Sequence, residues 1–536
     1  MSTLGRSSGA SEWFLSAAER GNPDTAVGRD EPWTEGNAVA PLVHGSTYFS
    51  RLVETLSALG AGDRVLIADW RGDADERLRD EGPTLGELLG DLAHRGVDIR
   101  GLLWRSHPDA AGFNEEEESA LAATVNEAGG KILLDERVRR GGSHHQKLVL
   151  VSRRDRPGED IAFVGGIDLC HGRRDDDRHG GDPQAEKLDP AFGDRPPWHD
   201  IQTEVRGPAV AQLFETFRER WNDPTPLERK VSPLRRLRST AAKEPDEPSR
   251  LPEYGRVPER VGSQAVQVLR TYPVKRPGYP FASEGERSIA RVYAKTFERA
   301  RSLLYVEDQY FWAEGIASLY ERALARAPEL RVIVVVPRHP DRNGAVSGPA
   351  NRVGQLDLME RLQHAGGDRV LVTDLENEAG DAIYVHAKTV IVDDVFAVVG
   401  SDNMNRRSWT HDSELSLAVL DEDRDEREPR DPAGLGDGAR RFARDLRLRL
   451  WREHLATGDD DGLLDPVEAF ERWRSSAAAL DAWHEGGRRG PRPQGRLRVH
   501  RPRAVPAWQR VWARPLYRAV VDPDGRPASL RRSGSF

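Results

Sequence analysis

HHQKLVLVS (His144–Ser152), followed by FVGGIDLC (Phe163–Cys170), and VHAKTVIVDD (Val385–Asp394), followed by VVGSDNMN (Val398–Asn405), are two copies of one pattern in a chain of 536 residues. Each copy sets His-x-Lys at the head of an apolar run, breaks, runs apolar again and ends in a turn of small residues, Gly165-Gly166 or Gly400-Ser401. Side chains on a strand alternate with a period of two, so His145 and Lys147 project from one face, as do His386 and Lys388. His144, the strand neighbour of His145, points the other way. One such pair is weak evidence, since a lone histidine on a strand is usually structural. Two pairs, each trailed by a small-residue turn, are hard to explain by packing alone.

Outward from the first copy, the chain alternates short apolar runs with helical periodicity. GSTYFSRLVETLSALGAGDR spaces Phe49, Leu52, Leu56 and Leu59 as a helix and stops at Gly. RVLIADW, VDIRGLLW and KILLDER read as strands, with TLGELLGDLAHRG and EEEESALAATVNEAGG as the helices between them. A strand, WHDIQTEV, and a helix, AVAQLFETFRERWN, follow the first copy. Around the second copy the same order returns: helix RSIARVYAKTFERA, strand SLLYVEDQYF, helix ASLYERALARA, strand LRVIVVVP, helix MERLQHAGG, strand RVLVTDL, and later strand SELSLAVL and helix GARRFARDLRLRLWREHL. Alternation of this kind predicts an α/β fold. The repeat predicts two similar α-β-α layered domains, an internal duplication, with the active site at their interface. The expected division is an irregular lead-in (1–45), a first half (46–222), a linker without apolar period (223–262), a second half (263–460) and an Arg/Trp-rich extension (461–536). The charged, Gly- and Pro-rich stretch 172–197 reads as a long functional loop.

The net charge of −9, from 79 basic and 88 acidic residues, argues against a generic polyanion binder, and no nucleic-acid partner is expected. The single cysteine, Cys170, excludes an internal disulfide framework and fits a reducing compartment. The first residues have no apolar core of a signal peptide, and no stretch approaches the roughly 20 apolar residues that span a bilayer. The reading is a cytoplasmic protein open to peripheral membrane contact. From Arg488 to Phe536 thirteen arginines face two aspartates, with Trp508, Trp512 and Tyr517 interleaved. That tail reads either as an extended segment wrapped on the acidic body or as a basic surface for anionic headgroups.

If the halves meet around a pseudo-two-fold axis, two imidazoles and two ammonium groups share one cleft. Such a cleft suits a phosphodiester. The lysines neutralise nonbridging oxygens and small turn residues let backbone N–H donors approach. One imidazole attacks phosphorus and the other protonates the leaving alkoxide. This chemistry needs no cofactor and no metal, and the chain shows no zincin, paired-cysteine or EF-hand motif.

The second copy, His386-x-Lys388 with Asp393 and then Gly400-Ser401-x-Asn403, resembles the HKD motif of the phospholipase D superfamily. HHQK with FVGGIDLC resembles the eukaryotic-type phospholipase D version, as do PWHDI (Pro197–Ile201), RGPAV with FRERW, and VEDQYF (Val306–Phe311). The resemblance spans roughly residues 45 to 455. It implies His145 as the nucleophile that becomes a phosphohistidine, and His386 as the general acid and then base. It implies that Lys147, Lys388 and Asn403 hold the phosphoryl oxygens, with Ser401 and the Gly165-Gly166 turn beside them. A carboxylate from a later strand should orient each histidine: Asp200 for His145, and Glu414 for His386. Gln309 and Tyr310 are candidates for the headgroup pocket or for simple packing. The motif aspartate, Asp393 in the second copy, is structural in the family. Ser152 replaces it in the first copy, where Asp155 substitutes only if the strand ends early. Asp168 stands where the motif often has Asn and is not assigned to phosphate.

The implied function is hydrolysis of glycerophospholipids at a membrane surface to phosphatidic acid and a free headgroup alcohol, with transphosphatidylation. The rivals are a cardiolipin-synthase-like transferase, an HKD-type nuclease, and a catalytically inactive lipid-binding protein. Headgroup preference and oligomeric state are not legible in the sequence.

Overall fold

The computed structural model describes residues 9–105, 115–227, 249–256, 258–312, 314–341 and 347–536. Most of the expected linker, 228–248, therefore lies outside the described residues, as do the first eight residues and residues 342–346.

The first half contributes β1 (Thr34–Val43), β2 (Arg64–Asp69), β3 (Asp98–Trp104), β4 (Lys131–Asp135), β5 (Leu148–Ser152), β6 (Ile161–Gly165), β7 (Trp198–His199) and β8 (Ile201–Arg206). The second contributes β9 (Gln264–Tyr272), β10 (Glu286–Arg287), β11 (Leu303–Glu307), β12 (Arg331–Val335), β13 (Val370–Leu375), β14 (Tyr384–Val385), β15 (Thr389–Val392), β16 (Phe396–Gly400), β17 (Glu414–Asp421) and β18 (Leu497–Val499). In space the first half runs β1-β8-β6-β5-β2-β3-β4 and the second β9-β17-β16-β15-β11-β12-β13, with β18 added at the edge. The two orders match strand for strand. In both, the three strands entered through helices are parallel, and the rest are antiparallel. This is the duplicated α/β architecture. β1 and β9 pair antiparallel through Thr34↔Val266 and Asn37↔Gln264, so one sheet runs through both halves.

Alternation sorts each strand between two layers. In β2, Val65 and Ile67 face the core under helices 45–57 and 85–94, while Leu66 and Ala68 face the opposite core with helices 209–221 and 441–455. That second core is continuous beneath both halves. On the other face the second half has its own core, with Val332 and Val334 of β12 packed toward helices 288–299 and 314–326. Helix 85–94 begins at a capping box, Thr84 with Glu87, as its sequence signals.

Three expectations change. Residues 34–43 are a ten-residue strand and not irregular lead-in. Gly36, Asn37 and Pro41 weaken the strand signal, and β1 forms because β8 and β9 flank it on both sides. The His-x-Lys triplets do not lie within ladder strands. Both sit in extended backbone just before β5 and β15, where the chain leaves its own sheet. The tail is not merely extended: β18 pairs with β13, and residues Ala507–Leu516 form a helix despite Pro515. That helix rests on helix 347–366 through Ala513, beside Val353 and Val505.

The β15–β16 hairpin explains the motif aspartate. Asp393 and Asp394 both have positive φ and close a two-residue turn, Val395 N–H donating to Val392 O at 2.9 Å. The Asp393 carboxylate then accepts the N–H groups of Arg301, Ser302 and Leu303, each at 2.8 Å, fixing the start of β11. Asp394 is buried against Arg444 and Arg447 of helix 441–455. In the first half the longer 153–160 turn replaces this hairpin. Ser152 Oγ accepts from Arg256, Asp160 takes the Arg153 N–H, and Asp63 takes the Arg154 N–H. Asp155 is exposed and does not substitute.

Candidate active site

Each His-x-Lys segment is pinned by the other half. His145 N–H donates to Ser413 O at 2.9 Å, and Ser413 N–H to Ser143 O at 3.0 Å, so the first triplet lies beside the lead-in to β17. β14 pairs in parallel with β7, and His386 N–H donates to His199 O at 2.8 Å, so the second lies beside the lead-in to β8. The carboxylates arrive accordingly. His145 Nδ1 is 2.9 Å from Glu414 Oε2, and His386 Nδ1 is 2.6 Å from Asp200 Oδ2. The pairing is the reverse of the sequence expectation, which gave Asp200 to His145 and Glu414 to His386. The exchange follows from the strand crossings: each triplet leaves its own sheet and lands on the carboxylate-bearing strand of its counterpart.

The four catalytic candidates share one electrostatic neighbourhood. Burial pushes the His145 imidazole well below its usual pKa, and Lys147 and Lys388 both add to that. Burial does the same to His386, with Lys388, Arg173 and Lys147 contributing. Lys388 is itself pushed down to about 8, by burial first and by Lys147. Burial raises Asp200, and raises Glu414 to about 8 with help from Asp412.

The two lysines differ. Lys147 Nζ forms an ion pair with Asp168 Oδ1 at 2.9 Å. Burial opposes the Asp168 charge, but Lys147 and Arg173 outweigh it and hold that carboxyl below its usual range. Lys388 Nζ instead donates to the neutral Gln309 Oε1 at 3.1 Å, and Gln309 Nε2 donates to Tyr384 OH. Gln309 thus positions Lys388. Each ammonium also donates to the carbonyl of its own histidine. Among the described residues the second-half cation has no carboxylate in hydrogen-bond contact, which favours an anionic ligand on that side.

The small residues of the turns serve the carboxylates. A Cβ on Gly166 would overlap Asp200 Oδ1, and one on Gly165 would stand 2.6 Å from Ile201 O. The Gly166 N–H donates to Ile201 O at 2.9 Å. That N–H is therefore engaged, and the turn clears space for Asp200 where the sequence reading placed phosphate. Ser401 Oγ likewise donates to Glu414 Oε2 at 2.6 Å and accepts from Leu415 N–H. It orients Glu414 and not a phosphate. Asn403 is buried with Oδ1 lacking a hydrogen-bond partner among the described residues. Its turn is held by Asp308, which accepts the N–H groups of Tyr310 and Met404 and which burial pushes up to about 6.

Sequence reasoning missed Asp308 and Arg173. Asp308 was visible only as part of VEDQYF. Arg173, in the long charged loop, lies 4.2 Å from the Trp198 ring centre, and Trp198 stacks obliquely on His386 at 5.0 Å. His144 is fully buried with both ring nitrogens unpartnered among the described residues, and burial drives its pKa well down. It belongs to the packing behind the site.

A profile described as Phospholipase D matches residues 58–322 and 369–485, covering both halves. Phospholipase D alpha 1 of Cynara cardunculus is 27% identical across 72% of this chain and 59% of its own length. Phospholipase D1 of Saccharomyces cerevisiae is 26% identical across 83% of this chain and 31% of its own. The chain thus spans about 60% of the length of the plant relatives it matches. Among solved structures, a phosphatidylserine synthase of Haemophilus influenzae superposes with a TM-score of 0.49 at 15% identity, covering 73% of this chain and 84% of that one. The family profile extends over most of the chain and over both copies of the motif, and the chain belongs to the phospholipase D family.

Proposed function

We propose that this chain is a phospholipase D-type phosphodiesterase that hydrolyses glycerophospholipids to phosphatidic acid and a free headgroup alcohol. The observation that carries the reading is the pair of histidine–carboxylate contacts made across the two halves, His145 with Glu414 and His386 with Asp200, beside two lysines. His145 attacks phosphorus through Nε2 while Glu414 holds the proton on Nδ1. His386, which takes up a proton on Asp200 once an anionic phosphodiester offsets the neighbouring cations, protonates the departing alcohol. It then activates water, or a primary alcohol in transphosphatidylation, to cleave the phosphohistidine. His145 is the more open of the two, its side chain 15% exposed against 6% for His386, which suits the group that must reach phosphorus. Lys388, Lys147 and Asn403 hold the nonbridging oxygens. The side chain of Asn403 turned by half a revolution offers Nδ2 where the unpartnered Oδ1 stands.

The substrate is met at a membrane surface. No helix among the described residues is long and apolar enough to cross a membrane. Helix 507–516 exposes Trp508 at 67% and Val511 at 77%, on a tail rich in arginine, which supports contact with an interface carrying anionic lipid.

The test is incubation with phosphatidylcholine vesicles and a primary alcohol, with products read by mass. Phosphatidic acid and the phosphatidyl-alcohol together are expected, and His145→Ala should abolish both. Cleavage of a labelled oligonucleotide with no lipid turnover would replace this reading with a nuclease, and vesicle binding without any turnover would replace it with a lipid-binding role.

A further inference from the structure

Behind the His386–Asp200 pair, three imidazoles converge on one carboxylate. His44 precedes helix 45–57, His179 lies in the loop 172–197, His199 ends β7, and Glu453 comes from helix 441–455. All three rings are buried. His44 Nε2 is 3.0 Å from each Glu453 oxygen, and His179 Nε2 is 3.0 Å from Glu453 Oε1. His199 Nδ1 stands 3.6 Å from the same oxygen. One ligand atom from each of the four residues falls within 4.8 Å of all the others.

The outer contacts decide which nitrogen faces inward. His179 Nδ1 is 3.0 Å from Trp198 O, which can only accept, so Nδ1 carries a hydrogen and Nε2 is the nitrogen turned toward Glu453. His199 Nε2 donates to Glu307 Oε2 at 2.7 Å, and its Nδ1 has no hydrogen-bond partner among the described residues. Glu307 is held in turn by His454 Nε2, 2.8 Å from Oε1, and by Tyr305 OH. Nitrogens of three imidazoles and an anionic carboxylate therefore meet in a dry interior, where the negative charge is balanced either by protons on the rings or by a bound cation. Arg496 Nη1, 3.9 Å from Glu453 Oε1, is outside hydrogen-bond reach. An imidazole whose far nitrogen donates to a carboxylate or a backbone carbonyl is the outer-shell pattern of metal-bound histidine. A tetrahedral zinc ion places its ligand atoms about 3.3 Å apart, and the contacts to Glu453 bracket that value. A divalent ion would also balance the charges of Glu453 and Glu307.

We propose that His44, His179, His199 and Glu453 form a buried site for a divalent transition metal of the zinc type. Four protein ligands close the coordination shell, so the role is structural. The ion would tie the N-terminal segment, the long loop and helix 441–455 to β7. The His199 carbonyl takes the N–H groups of His386 at 2.8 Å and Ala387 at 3.2 Å, and the next residue is Asp200. The metal would thereby hold the histidine–carboxylate pair on its side of the site without touching substrate.

The test uses the full chain without a histidine tag, produced in medium containing Zn2+, with metal content measured by elemental mass spectrometry. About one bound metal per chain is expected, falling to background in Glu453→Gln and His179→Gln. Wild type unfolded with a chelator and refolded with Co2+ should show the visible absorption of tetrahedral cobalt, removed on adding Zn2+. Metal content below about a tenth of an equivalent in wild type overturns the proposal, whether or not the variants fold, and leaves a cluster balanced by protons. Full metal content in a folded His179→Gln protein overturns the assignment of these ligands.

Discussion

Replacing Asp200 with Asn separates the two histidines experimentally. The His386 Nδ1–Asp200 Oδ2 contact is 2.6 Å in a buried pair. Asn keeps the shape and removes the charge that stabilises the imidazolium. A hydrogen bond to a charged group contributes about 1.5–3 kcal/mol, which corresponds to a factor of roughly 10–150 in rate. An aliphatic headgroup alcohol needs the proton of His386 to leave, whereas p-nitrophenolate does not. Asp200→Asn should therefore slow turnover of phosphatidylcholine by that factor. With phosphatidyl-p-nitrophenol it should leave the first burst of p-nitrophenolate within about 3-fold of wild type and slow only the steady phase, where His386 acts as base. Glu414→Gln should do the reverse and suppress the burst itself, because it acts on the nucleophile. Stopped-flow absorbance reads both phases. A burst lost in Asp200→Asn and kept in Glu414→Gln would refute the crossed pairing as the functional one.

The pH dependence has two limbs. Burial raises Glu414 to about 8, so below that pH the His145–Glu414 pair holds a second proton and Nε2 is not free to attack; activity should rise toward pH 8. Lys388, pushed down to about 8, loses its charge as pH rises through that value, and phosphate binding falls. A bell in kcat/KM centred near pH 8 is expected, and a profile flat from about pH 6 to about pH 9.5 would contradict it. Gly166→Ala should lower kcat at least about 100-fold by displacing Asp200, while Gly158→Ala, whose Cβ meets nothing, should match wild type; equal activity in both variants would return Gly166 to a neutral role. Ser152→Asp should keep full activity, since Ser152 contacts Arg256 on the far side of β5 from the His-x-Lys segment; a loss above about 10-fold in a folded protein would show that the first-copy motif aspartate matters to chemistry.

Much of the fold was legible in the chain because it is written locally. The short apolar runs RVLIADW and LRVIVVVP form β2 and β12, and TLGELLGDLAHRG between strands forms helix 85–94. His145, Lys147, His386 and Lys388 were identifiable because the same spacing occurs twice. β1 and the tail helix were not, because neighbours impose them: β8 and β9 hold a segment containing Gly36, Asn37 and Pro41, and helix 347–366 seats one interrupted by Pro515. The choice of carboxylate for each histidine was beyond the sequence as well. Asp200 and Glu414 were both visible, but His145 meets a residue 269 positions away and His386 one 186 positions back. Only the crossing of the two short parallel pairings, β7 with β14 and His144 beside Ser413, sets that exchange. The histidine–glutamate cluster is the extreme case, since His44, His179, His199 and Glu453 come from four separate segments and no common spacing links them. A sequence specifies side-chain period and turn chemistry within a few residues. Which charges meet across several hundred residues is fixed by strand pairing between the halves, and that pairing exists only in the folded chain.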